Sequence, residues 1–348
     1  MLVIDNGADT IKVYDSEKKE LHTFKNRVYR DGKNYFLGDE LKVKNQGIIQ
    51  YCPMQGGAIE FWDIQRLIWS HVFNSFDKQD LIFLTDEFTD LVTVKSAICN
   101  IFLVDLDFSS IEFLSRSNLQ AHHFFLDNPS SEFCVIVDAG FDTTKVNVYC
   151  NFDNQVEAIS ELSHVIPFGG KQVTNYLKNI ISYREVDVSR EFILVEDIKL
   201  KCSEVMLETE EKSTTFLLPD FSERFEGEII DSDMADDNMQ LLNLKNEILL
   251  GPEIIFDPAS VLRTDKPGLT TVLDSILTKV NCLSEDFSAT CLLLGQTTKI
   301  KNFKNRLKTD LSHHSISIHQ PDNIYSYYEA ASSKLKITRK SYLKYLKF

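Results

Sequence analysis

Asp5, Gly7, Asp9, Thr10, Lys12 and Val13 recur, in order and spacing, as Asp138, Gly140, Asp142, Thr143, Lys145 and Val146. Within "VIDNGADTIKV" and "IVDAGFDTTKV", six of eleven positions are identical. A carboxylate at a strand end can hold a hydrated metal cation, and a glycine turn presents backbone N–H groups that suit a phosphate. Two such turns facing each other would clamp the phosphates of a nucleotide, with Asp5 and Asp138 organising the cation. A single copy would be an ordinary hairpin whose Asp holds its own turn through backbone hydrogen bonds. The duplication favours the clamp.

The flanking residues say what must position these groups. "MLVID" and "CVIVDAG" are apolar, β-branched runs ending at Asp, the pattern of central strands before tight turns. "TIKVYD" and "TKVNVYCN" alternate in character, so each copy reads as a hairpin. "FWDIQRLIWSHVFNSF" has apolar residues at helical spacing from Phe61 to Phe76, with Asp63 in the first turn. "DLIFLTD" reads as a further buried strand, "GGKQVTNYLKNIISY" as a helix opened by Gly169 and Gly170, and "ATCLLLGQTTKIKNFKNRLKTDL" as strand, turn at Gly295, then helix. Alternating strands and helices indicate an α/β protein. The acidic stretch 221–238 reads as a solvated or mobile loop.

Composition sets the outer limits. The chain has 348 residues, 43% hydrophobic and 26% charged, enough for two lobes with separate cores. Its net charge of −15 repels a phosphate backbone on average, so a nucleic-acid contact needs a local basic patch. Seven scattered cysteines without a C-x-x-C pair indicate reduced thiols in an intracellular protein, not a disulfide framework or zinc site. No basic leader precedes the first strand, and no apolar run approaches the ~20 residues of a bilayer span; no membrane contact is expected.

The two echoed loops resemble the two phosphate loops of the actin family, and the resemblance runs nearly end to end. It includes "YFLGDELKVKNQGIIQYCPMQGGAIEFWDIQRLIWSHVF", "GGKQVTNYLKNII", "LVEDIKLKCSEV" and "LLLGQTTKI". It implies an actin-like α/β fold: ribonuclease H-like duplicated lobes of the sugar-kinase and actin superfamily, around a central nucleotide cleft. Residues 1–125 plus 326–348 would form the first lobe, with a small part at about 24–44. Residues 126–325 would form the second, with a small part at about 167–258. The chain would cross near Leu126 and return near Tyr325. The resemblance implies ATP with Mg as the ligand, held by Asp5, Gly7 and Lys12 in one loop and Asp138 and Gly140 in the other. Gly169, Gly170 and Lys199 would approach the ribose and base, with Gly295 in the base-side turn. "LQAHHFFLDNPSSEFCVIVDAG", "IISYREVDV" and "EIIFDPASV" are similar to one nuclear branch of the actin-related proteins. That branch implies a structural subunit of a Swr-type (SRCAP-type) remodeller, which places a variant histone into nucleosomes. Its partners would be a zinc-finger HIT-domain protein and, nearby, nucleosomal DNA.

The departures from actin bear on catalysis. Ala8-Asp9 and Phe141-Asp142 replace smaller steps, bringing two acids and a ring toward a site meant for an anion. The water-positioning Gln of actin should fall near Arg116 or Ser117; Gln120 lies too late. Without that residue, phosphoryl transfer loses the positioning it depends on. Leu200 replaces an acid and Gln296 a glycine, so ATP binding itself stays open while hydrolysis is not expected. A short loop over Arg27–Tyr35, with Asp31-Gly32 as its turn, and a truncated C-terminus argue against a homopolymer.

Two basic segments offer a DNA or partner contact: one with Lys299, Lys301 and Lys304, the other with Arg339 and Lys340. Each also reads as a plain solvated face. The histidine pairs in "AHHFF" and "SHHSISIH" are read as strand neighbours pointing to opposite faces, with no acid or Cys at ligand spacing, so no protein-only metal site is expected. Three classes of function therefore compete. They are a nuclear scaffold subunit, an actin-type ATPase using Asp138 to organise a metal, and a cytoskeletal relative that caps or joins filaments. The altered loops weigh against the second, and the short loop and "LDNPSSEF" against the third.

Overall fold

The computed structural model describes residues 1–40, 48–86, 89–153, 155–184, 186–207, 211–220, 224, 226–231, 233, 239–282, 289–321 and 337–345. In chain order, the first half carries β1 (Leu2–Asn6), β2 (Thr10–Asp15), β3 (Glu20–Lys25), β4 (Val28–Asp31), β5 (Asn34–Leu37), β6 (Ile49–Tyr51), β7 (Met54–Gln55), β8 (Ala58–Ile59), α1 (Trp62–Val72), β9 (Asp80–Thr85), α2 (Val92–Cys99), β10 (Ser110–Ser115) and α3 (Arg116–Asp127). The second carries β11 (Phe133–Ala139), β12 (Thr144–Phe152), β13 (Gln155–Ala158), β14 (His164–Ile166), α4 (Gly170–Arg184), α5 (Phe192–Cys202), β15 (Thr214–Leu217), β16 (Glu228–Ile230) and β17 (Leu241–Leu244). It continues through α6 (Glu247–Phe256), α7 (Pro258–Leu262), α8 (Leu269–Asn281), β18 (Ala289–Leu294), α9 (Phe303–Asp310), β19 (Ile316–His319), β20 (Ile337–Thr338) and α10 (Arg339–Tyr345).

The repeat seen in the sequence is a repeat of topology. Of the sheets among the described residues, the two largest run β20-β10-β9-β1-β2-β3 and β13-β12-β11-β18-β19, with β14 on β12. In each, an antiparallel hairpin lies beside two parallel strands: β1 pairs β9, which pairs β10, as β11 pairs β18, which pairs β19. Register is conserved too. Asp5 stands opposite Lys12 and Asp138 opposite Lys145, so the turn chemistry is presented identically in both lobes. The α/β architecture with duplicated lobes is present as expected.

Each sheet has its own core, because its inward-facing side chains need a separate layer to exclude water. In the first, Leu2, Ile4, Ile11 and Val13 meet Ile68, Trp69 and Phe73, with the Trp69 and Phe102 rings tilted against each other at 5.0 Å. The buried face of α1 is Gln65, Ile68, Trp69 and Val72, while Phe61, outside the helix, is exposed. The second core joins Val135, Val137, Val146 and Val148 to α4, α6 and α8 through Leu177, Ile255 and Leu273. Helix α3 leaves the first sheet at β10 and packs Ala121, Phe124 and Phe125 on Cys134, Ile136 and Tyr149 of the second. Its first residue, Arg116, therefore stands at the junction of the lobes.

Two expectations are corrected. Within 221–238, Glu228–Ile230 is not loop but β16, paired to β15; much of that stretch lies outside the described residues. The short hairpin turns at Gly32-Lys33, one residue later than expected, because Gly32 supplies the positive φ (58°) at the first central position. The return near Tyr325 lies outside the described residues.

Candidate functional site

The two echoed turns face one another across a cavity of about 620 Å³. Each is closed by the same backbone bond, Gly7 N–H to Thr10 O at 3.1 Å and Gly140 N–H to Thr143 O at 2.9 Å. Gly7 is required, since a Cβ there would lie 2.7 Å from Thr10 O; at Gly140 the fit is tight, with a Cβ 3.2 Å from Thr143 O. Each turn carbonyl is also held from outside. Asn26 Nδ2 donates to Gly7 O at 2.9 Å, and Asn26 is itself fixed by Gln65 of α1. Thr297 Oγ1 donates to Gly140 O at 2.7 Å. The clamp geometry that the duplication suggested is thus built.

What lies between the turns is a guanidinium. Ser115 ends β10 and caps α3 by accepting from Asn118 N, and the next residue, Arg116, enters the cleft. Its Nη1 donates to Asp5 Oδ1 at 3.0 Å and Oδ2 at 3.3 Å, and its Nη2 donates to Asp138. The two carboxylates that would have held a hydrated divalent cation are bridged by this chain's own positive charge, at the position where actin's Gln was sought. As they stand, these residues do not fit a magnesium ion. Gln120 is buried on α3 and does not line the cavity.

Three further links cross the cleft. Lys145, from the second hairpin, pairs with Asp86 at the end of β9. Burial would raise the Asp86 carboxyl, but the charge and hydrogen bond of Lys145 and the Thr89 backbone N–H hold it below its ordinary range. Gly57 N–H donates to Asp142 Oδ2 at 2.9 Å, and Lys171 Nζ lies 3.5 Å from the other oxygen. Arg27, fully buried, reaches Glu196 of α5 at 3.4 Å through both Nη atoms and also pairs with Asp9. Burial pushes the Glu196 carboxyl up; Arg27, Lys25 and Lys199 outweigh it and bring it below the usual range. The Arg27 guanidinium rests 5.3 Å from the Phe141 ring centroid and 5.8 Å from that of Phe192. Asp9, Asp142 and Phe141 are therefore not stray acids and bulk in an anion site: Asp142 and Phe141 each make a contact that joins the lobes, and Asp9 holds the Arg27 that makes another.

The remaining expected residues divide. Asp5, Gly7, Lys12, Asp138, Gly140, Gly170, Lys199, Gly295 and Lys299 line the cavity. Gly169 does not; it lets α4 pack on the second turn, where Gly170 N–H and Lys171 N–H donate to the carbonyls of Gly140 and Phe141. The first amides of α4 are thereby occupied by protein. Lys199 Nζ donates to Gly170 O at 3.1 Å and Thr174 Oγ1 at 2.9 Å. Burial lowers its amine to about 8, against the pull of Glu196. Gly295 has φ +86°, and a Cβ there would lie 2.1 Å from Ala139 O. Gln296, exposed in the following turn, tolerates its side chain.

Of the basic residues, Lys301 pairs with Glu204 at 2.9 Å, and Arg339 donates to Leu103 O at 2.6 Å while its backbone N–H binds Ser109 O. Arg339 thus fastens β20 and α10 to the first sheet, with its side chain still 41% exposed. Lys340 is exposed and Lys304 half-buried. The histidine argument is also corrected. His122 and His123 lie on α3, and His313 and His314 in the turn after α9, not on strands; an acid distant in sequence, Asp274, reaches both of the latter. Sequence reasoning missed Arg27, Asp86 and Glu196 and read Arg116 only as a missing Gln. Lys145 had a signal, being the repeat mate of Lys12.

Two lobes of like topology, with echoed Asp-x-Gly turns meeting over one cleft, define the actin class of fold. The actin family model matches residues 1–213, and the chain belongs to that family. Within it, the chain is 25% identical over 328 residues to actin-like protein ARP6 of Yarrowia lipolytica, covering 89% of this chain and 82% of that protein. It is 24% identical to actin-related protein 6 of Drosophila melanogaster and 26% identical to that of Arabidopsis thaliana, each match covering 89% of this chain and 85% of the relative. Among the described residues, no helix is long and apolar enough to cross a membrane.

Proposed function

We propose that this chain is a non-polymerising, non-catalytic structural subunit of a nuclear chromatin-remodelling complex that exchanges a variant histone into nucleosomes. The observation that carries the non-catalytic half is Arg116, seated between Asp5 and Asp138 where a metal-bound phosphate would have to sit. The likeness to proteins named actin-related protein 6 supports the nuclear assignment. The partners on this reading are remodeller subunits including a zinc-finger HIT-domain protein, with nucleosomal DNA nearby; Lys304 and Lys340 stay available to such a surface. Phosphate release by the purified chain with Mg-ATP should not exceed the buffer blank. Affinity purification from native cells, with mass spectrometry, should recover remodeller subunits; cytoskeletal proteins in their place would overturn the reading. Light scattering in polymerising salt should stay flat.

A second reading keeps a nucleotide in the cleft without a cation, favoured by the intact turns and the remaining cavity. Titration of a fluorescent ATP analogue in EDTA separates the two: saturable binding supports it, and no change in signal removes it.

A further inference from the structure

Helix α8 buries Leu269, Leu273, Ile276, Leu277 and Val280 and turns Asp274 outward. The chain after α9 closes on itself, with Ser312 N–H on Thr309 O and His314 N–H on Leu311 O, and this turn lays both imidazoles against that carboxylate. His313 Nε2 is 2.7 Å and His314 Nε2 2.9 Å from Asp274 Oδ1. The two rings lie 4.2 Å apart, and the three candidate donor atoms fall within 4.8 Å of one another.

We propose that Asp274, His313 and His314 form a binding site for a divalent transition-metal ion, Zn²⁺ being the natural fit. Two imidazole nitrogens and one carboxylate oxygen favour zinc, nickel or copper over magnesium or calcium, which want oxygen donors alone. Tetrahedral zinc with bonds of about 2.0–2.1 Å needs its ligand atoms about 3.3 Å apart, so the two Asp274–His contacts must each open by roughly half an ångström. The side chains able to give way are Asp274 and His313, which are 48% and 60% exposed. His314, at 6%, is the fixed ligand. Coordination through its Nε2 moves the ring proton to Nδ1, where the Asn281 amide, 3.2 Å away, accepts it once its oxygen is turned inward. A water completes the fourth position. The metal would staple α8 to the α9–β19 turn. None of the three ligands lines the nucleotide cleft, so the site is independent of the clamp.

The test is calorimetric titration of ZnCl₂ into the full-length, chelator-treated chain. The expected result is one equivalent bound, weakened at least tenfold in Asp274→Asn and in His313→Asn, with MgCl₂ giving no saturable heat. Both positions are exposed, and far-ultraviolet circular dichroism checks that each variant folds. Cys282→Ser controls for the exposed thiol at the end of α8 and should bind as the parent does. Absence of zinc binding, equal binding in both ligand variants, or loss of binding in Cys282→Ser would each overturn the proposal. A thermal midpoint that zinc raises in the parent and in Cys282→Ser, and not in Asp274→Asn, is the second readout.

Discussion

Replacing Arg116 by Gln tests whether the guanidinium stands in for a cation. The side chain is 22% exposed, and the two carboxylates it bridges are 11% and 9% exposed. A hydrogen bond to a charged group contributes about 1.5–3 kcal/mol, and stranding one partner of a buried pair costs about 3–5 kcal/mol. The cleft admits water, so the lower end applies, and Arg116→Gln should lose about 3 kcal/mol. At about 2 °C per kcal/mol for a chain of this size, the thermal midpoint should fall by roughly 6 °C. The vacated space is then flanked by two acidic oxygen donors, the ligand type that hard cations prefer. Magnesium at ten times its dissociation constant would return about 1.4 kcal/mol, or about 3 °C, to the variant and nothing to the parent. Removing the repulsion directly, in Arg116→Gln/Asp138→Asn, should recover part of the loss without metal. Differential scanning fluorimetry with and without MgCl₂ reads all of this. A variant as stable as the parent, or magnesium shifting both proteins equally, would refute the internal-cation argument.

Gly295→Ala should cost about 3 kcal/mol or more, because its φ of +86° belongs to a region nearly reserved for glycine and the new methyl meets Ala139 O; urea unfolding measures it. Lys199 has a folded pKa near 8 against 10.5 for the free side chain, so the unfolded chain binds the extra proton between those values. Stability relative to Lys199→Met should therefore rise with pH, by about 2 kcal/mol from pH 7 to pH 9.5; a difference flat across that window would contradict the burial argument. Arg27→Met should leave Asp9 and Glu196 with Lys25, at 3.1 and 3.9 Å, and loosen the link across the cleft at a cost of about 2 kcal/mol. Small-angle scattering should show a larger radius for that variant, and no change in the parent on adding Mg-ATP.

What could be read ahead of the structure was whatever depends on local pattern. The hairpins were legible because β-branched runs ending in Asp-x-Gly dictate strand and turn, and their duplication announced a two-lobed clamp. The contents of the clamp were not. Arg116 sits among small polar residues in "FLSRSNLQ", and nothing local tells that the strand before it places its side chain between two aspartates more than a hundred residues apart. Asp9, Asp142 and Phe141 looked misplaced for the same reason: Asp9 and Phe141 both meet Arg27, and Asp142 meets the Gly57 N–H, partners that no local pattern ties to the loops. The His–Asp cluster failed similarly, since Asp274 precedes its histidines by about forty residues and pairs with them only after α8 and α9 pack.

The four cross-cleft contacts bear on what such a molecule is suited to do. Lobes joined by modest polar interfaces move relative to one another by default. A clamp closed by a ligand gains stability only as RT ln(1 + [L]/Kd), so its geometry follows the ligand's supply. Arg116 on Asp138, Lys145 on Asp86, Arg27 on Glu196 and Asp142 on Gly57 place the closing groups on the chain itself. Their local concentration cannot fall, so these contacts favour the closed form whether or not a ligand is supplied. Every one of these contacts uses a residue from, or directly facing, the degenerate loops. Arg116, Phe141 and Asp142, which depart from the actin pattern, are thus also residues that link the lobes, the arrangement expected of a chain that keeps its shape by its own contacts.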